Sequence, residues 1–164
     1  VAASSKPAPS TSSRATPRPT AAPRATGAPR ATGDPRLAYA EFLRRVNDDR
    51  ASVDGLNAAL STAVGATDRP ATRVAAVAIL DFVDEERLWL LDHPPADCYA
   101  AAHASALAML EKYGTAASLF IDWAATSGGL TGLAALGKAA DAATVAADAL
   151  TAFGNELATT TCQG

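Results

Sequence analysis

A chain of 164 residues with a formal net charge of -3, 49% hydrophobic residues and only 5% aromatics is long enough for one modest core. Strand-favouring runs of Val, Ile, Thr and aromatics are missing, which predicts an all-α fold, and no apolar run approaches the roughly 20 residues that span a bilayer, which predicts no transmembrane segment. The charge is unevenly placed: Lys6, Arg14, Arg18, Arg24 and Arg30 stand without an acid in residues 1–33, whereas the remainder carries nine Lys and Arg against seventeen Asp and Glu, a basic arm ahead of an acidic body.

Residues 1–33 are almost wholly Ala, Pro, Ser, Thr, Arg and Gly, with Val1 the only large apolar side chain. Such a segment cannot bury enough surface to offset its ordering entropy. The tandem "APRATGAPRATGDPR" (22–36) repeats a hexapeptide twice. In polyproline II, with three residues per turn, a six-residue repeat projects its Pro-Arg pairs from one side. Pro23, Arg24, Pro29 and Arg30 are therefore candidate docking residues, for a protein partner, for self-assembly or for an anionic envelope surface. The alternative is a plain extended linker whose Ser and Thr accept O-glycans. Nucleic acid is not expected, because the arm has no aromatic on which bases could stack. The chain opens on Val1 without a charged-then-apolar signal segment, which predicts either processing after export or a start inside a longer protein.

Asp34-Pro35 reads as a helix start, a capping acid followed by Pro at the first helical position. From there Tyr39, Phe42, Leu43, Val46, Val53, Leu56, Leu60 and Val64 recur at three and four and predict a helix over about 35–65, stopped by Gly65. Asp68 and Pro70 start a second, over 70–93, ended by His93-Pro94-Pro95. Asp97 is the expected cap of a third, over 97–127, with the stripe Tyr99, Ala102, Ala106, Leu110, Tyr113, Ala117, Phe120 and Trp123 and a stop at Gly128-Gly129. A fourth, over 131–158, carries Leu133, Leu136, Ala140, Ala143, Leu150, Phe153 and Leu157. Long helices with connections of a few residues favour antiparallel neighbours, hence an up-down-up-down four-helix bundle over 34–164 behind the extended Pro-rich arm. That order brings Cys98 and Cys162 to one end. A disulfide there would close a loop of about 65 residues, contribute roughly 4 kcal/mol on the chain-entropy model, and point to an oxidising compartment outside the cytoplasm.

Enzyme signatures are missing: no phosphate-cradling Gly-rich loop, no Gly-x-Ser-x-Gly elbow, no Cys-x-x-Cys. A dinuclear metal bundle needs Glu-x-x-His pairs, and neither His93 nor His103 has a Glu three residues before it. No catalytic residue, cofactor or metal is expected. The stripes are nevertheless interrupted by Asp49 and Arg50 on the first helix, Glu86 on the second, His103 on the third, and Asn155 or Glu156 on the fourth. Counted from the turns, these fall near one level and predict a polar layer. Its role is either to fix register among Ala-rich helices, because buried charges persist only when paired, or to form a small-ligand or metal pocket near His103. In the run Leu88-Trp89-Leu90-Leu91 four apolar residues cannot all face one core, so Leu88, Trp89 and Leu91 form the candidate interface.

The stretch "HPPADCYAAAHASALAML" (93–110), followed by regular Leu and Ala, resembles a class of exported helical-bundle proteins of high-GC bacteria in which a Pro-Pro turn precedes a helix with an Ala-His pair. Over about 80–162 the resemblance implies an envelope location and no catalytic role for His103. The arm lies outside it. The expectation is an exported, non-enzymatic interaction or structural protein, docked through its arm as an accessory or repeating subunit. The alternative is a helical bundle that binds a small ligand.

Overall fold

The computed structural model describes the backbone of residues 35–162 and the side chains of 39–162. The arm, with its Pro23, Arg24, Pro29 and Arg30, and the Asp34 cap lie outside the described residues. Four helices follow one another, α1 (Pro35–Gly65), α2 (Arg69–Asp92), α3 (Ala100–Ala125) and α4 (Gly129–Thr159), in an up-down-up-down bundle.

The turns explain where each helix begins and ends. Gly65 closes α1 without supplying the left-handed residue of the first turn, which is Thr67 (φ 56°). Asp68 then caps α2, its carboxylate accepting from the Ala71 N–H at 2.9 Å, and Pro70 sits in the first turn, where a missing N–H costs nothing. At the far end the His93 N–H donates to the Trp89 carbonyl at 3.0 Å before Pro94-Pro95 forbids continuation. Asp97 does not cap α3: it lies inside a single 3-10 turn, Asp97–Tyr99, that leads into the helix, and no side-chain cap is made there. Between α3 and α4, Gly128 (φ 94°) and Gly129 (φ 65°) take the positive φ that the reversal requires. Arg69, at the start of α2, clasps this turn by donating to the Thr126 carbonyl and to its Oγ1, with the guanidinium 5.2 Å from the centre of the Trp123 ring.

α3 is the spine. Its whole expected stripe from Tyr99 to Trp123 is buried, together with Met109 and Ala116. α4 meets it through the small residues Ala139 and Ala146, with Phe153 the only large side chain of α4 that is fully buried, while Gly132 makes room for the Arg69 guanidinium and the Thr126 hydroxyl. The expected α4 face is met at Phe153, which is buried, and at Leu136, Ala143, Leu150 and Leu157, which pack half-buried against the core. It fails at Leu133 and Ala140, which are exposed, as is Leu130; the buried positions beside them are Gly132 and Ala139, whose small side chains give the hydropathy pattern little contrast. Among its described side chains α1 contributes Phe42, Val53, Leu60 and Ala63 to the buried core. It packs against α2, and its backbone does not approach α4 as the other neighbours approach one another. At the lower end Tyr39 stacks on Tyr99 (centroids 4.9 Å apart) and Phe42 tilts against it (5.6 Å). Burial, reinforced by Tyr39, pushes the Tyr99 hydroxyl up to about 12.

Candidate functional site

Of the expected polar layer, Glu86 is the buried member, 2% exposed in the core face of α2. Its partner is Arg45 and not Arg50. The Arg45 Nε donates to Oε2 at 2.9 Å and Nη2 to Oε1 at 2.5 Å, a bidentate fork. Asp49, one turn along α1, lies 3.5 Å from the same guanidinium. The other side of that guanidinium is the Trp89 ring, whose centroid is 4.8 Å away, and Trp89 in turn stacks on His93 at 4.6 Å with the planes 6° apart. Two acids thus share one arginine, and an aromatic face covers it. The cluster pins α1 to α2.

The remaining members do not join it. Arg50 is exposed on the other flank of α1 and makes no ion pair among the described residues. His103 is half-buried on α3, and its buried Nδ1 has no hydrogen-bond partner among the described residues. Burial alone pushes its pKa below the ordinary histidine value. Asn155 is exposed and Glu156 half-buried on α4. Among the described residues no three His, Cys, Asp or Glu side chains converge as metal ligands would. The candidate interface also divides. Leu88 and Leu91 stand out at 64% and 58% exposed, whereas Trp89 is half-buried against Arg45 and His93 and is not presented outward.

The missing close approach between α1 and α4 leaves a seam, and that seam is the main feature the sequence pattern did not reveal. Its lower part is a cleft of about 620 Å³ between Phe42, Val46 and Val53 of α1 and Leu150 and Phe153 of α4, with Met109 and Leu110 on its floor. Asn47, Asp49, Arg50, Thr151 and Asn155 supply its polar lining, together with the Arg45–Glu86 pair. Its upper part, about 420 Å³, lies between Leu60 and Val64 of α1 and Ala143 and Ala147 of α4, over Ala117 and Phe120. The polar groups at that level satisfy each other, Asn57 Nδ2 donating to the Tyr113 hydroxyl at 3.1 Å. His103 lines neither part.

At the lower end Cys98 and Cys162 form a disulfide, with Cα atoms 5.5 Å apart, that ties the approach to α3 to the chain beyond α4. Among the described residues no helix is long and apolar enough to cross a membrane. Comparison with protein-family models, with curated proteins and with solved structures found no match.

Proposed function

We propose that the chain is a non-enzymatic binding protein of an oxidising compartment outside the cytoplasm, whose bundle receives an elongated, mainly apolar molecule in the seam between α1 and α4. The observation that carries this reading is the seam itself: two cavities of about 620 and 420 Å³, in the size range of ligand sites, mainly apolar, with charged side chains in the larger only. The disulfide supports the compartment, since such bridges persist where thiols are not kept reduced. So does the resemblance of residues 80–162 to exported bundles. On this reading the basic arm is a tether to the envelope, and the Arg45–Glu86 pair holds the wall of the site without taking part in chemistry. The test is binding of an apolar fluorescent dye to the oxidised full chain. One dye per chain is expected, lost when Leu150→Trp fills the seam; a dye bound equally by wild type and the filled variant would refute the reading.

A second reading, that the bundle is a subunit of an assembly, is favoured by one observation, the exposure of Leu88 and Leu91 one turn apart at the end of α2. It expects sedimentation to show an oligomer that Leu88→Glu together with Leu91→Glu dissolves.

A further inference from the structure

We infer that the seam's ligand is a single-chain amphiphile with an anionic head, its alkyl chain lying along α3 and its head held at Arg50. The inference rests on the ligand-binding reading above and names the ligand class.

Shape comes first. Both cavities lie between α1 and α4 over successive turns of α3, from Ala106 and Leu110 in the larger to Ala117 and Phe120 in the smaller, with α2 closing the back through Phe82 and Leu90 in the larger and Ile79 in the smaller. From Ala106 to Phe120 these fourteen residue steps of α3 span about 21 Å, with one cavity over each half. A fifth helix of that length, about 10 Å across, would need on the order of 1,500 Å³. The cavities, at about 620 and 420 Å³, are too narrow for it. A flat ring system would fill one cavity and leave the other empty. One alkyl chain follows both.

Charge then sets the head. The smaller cavity is lined by no charged side chain, so it suits the tail. The larger holds Arg45, Asp49, Arg50 and Glu86. Arg45 is committed to both acids. A cationic head would have to draw an acid away from that guanidinium, which is itself only 14% exposed, and would leave a largely buried charge underpaired. An anionic head needs no such exchange. Arg50, on the opposite flank of α1, lines the same cavity and has no ion pair among the described residues, so its fork of N–H donors is open to a carboxylate or phosphate. Thr151 and Asn155 line the cavity from α4 and add a hydroxyl and an amide.

The test is displacement of a fluorescent fatty acid from the oxidised full chain by palmitate, hexadecanol and hexadecylamine, each below its aggregation threshold. Palmitate should displace about tenfold more tightly than either of the others, the scale of one charge-assisted hydrogen bond. Arg50→Ala should abolish that preference while leaving hexadecanol unchanged, and Arg50→Lys should restore part of it. Leu150→Trp and Ala147→Phe, which fill the larger and smaller cavities, should weaken all three probes. Circular dichroism of each variant establishes that it is folded. If the three head groups bind alike, or if Arg50→Ala leaves palmitate affinity intact, the inference fails while the seam reading stands. If no probe binds, both fail.

Discussion

Arg45 and Arg50 show where pattern stops being informative at the residue scale. At 3.6 residues per turn the α1 stripe of Phe42, Val46, Asp49 and Val53 has one arginine about 70° to either side. Which of them meets Glu86 depends on whether α2 packs to the left or right of α1, and a one-dimensional pattern carries no such handedness. The sequence expectation chose Arg50; the fold places α2 on the Arg45 flank. Glu86→Ala should therefore cost up to about 3–5 kcal/mol in urea unfolding, because it removes the bidentate partner of a largely buried guanidinium and leaves it only Asp49 at 3.5 Å, whereas replacing Arg45 and Glu86 together by Met should cost far less. His103 was equally hard to place, because a lone His in an Ala-rich stripe reads the same whether or not it has a partner. With its folded pKa below the unfolded value of about 6.5, the neutral ring is favoured by folding. Its contribution is then full above the unfolded pKa and lost as pH falls through the folded one. Unfolding midpoints taken at successive pH values below 6.5 should fall more steeply for the wild type than for His103→Met.

At the scale of elements, the helices follow from their punctuation, and the exceptions have local causes. Asp68-x-Pro70 works as cap and first turn because the carboxylate reaches Ala71 N–H. Asp97 fails as a cap because the chain enters α3 through a 3-10 turn that places it inside the turn. The first connection is the strained one. Thr67, β-branched, sits at φ 56°, where such residues are outliers and glycine is not. Thr67→Gly should raise stability by about 0.5–1 kcal/mol even though it touches no core residue, read as a higher thermal midpoint. α4 teaches the reverse lesson. Its expected Leu133 and Ala140 are exposed, while its buried positions other than the expected Phe153 are Gly132, Ala139 and Ala146, because close approach of neighbouring elements selects for small volume, and hydropathy gives small residues little weight.

For the whole molecule, helix number, order and the covalent link were legible in the sequence, since short connections force antiparallel neighbours and antiparallel order alone brings residues 98 and 162 to one end. The seam was not legible. It arises from the mismatch between a small-residue α3–α4 contact and a larger-residue α1 face that packs on α2 but makes no comparable backbone approach to α4, a difference in packing that no periodicity records. Replacing both Cys98 and Cys162 by Ser should lower the stability of the bundle by up to about 4 kcal/mol, measured by denaturant unfolding beside the reduced wild type. The placement of that bridge also orders the motions of the bundle. It joins the segments that flank α3 and α4, while among the described residues α1 has no such bridge and is held by the strained Thr67 connection, by packing on α2, by the Arg45–Glu86 fork, by the rings of Tyr39 and Phe42 against Tyr99 and by the Asn57–Tyr113 hydrogen bond. On the ligand-binding reading α1 would then be the door of the molecule. Its amides should exchange with solvent ahead of those of α3 and α4 in hydrogen-exchange measurements, and its swing, more than the chemistry of any bound molecule, would set how fast a guest enters and leaves.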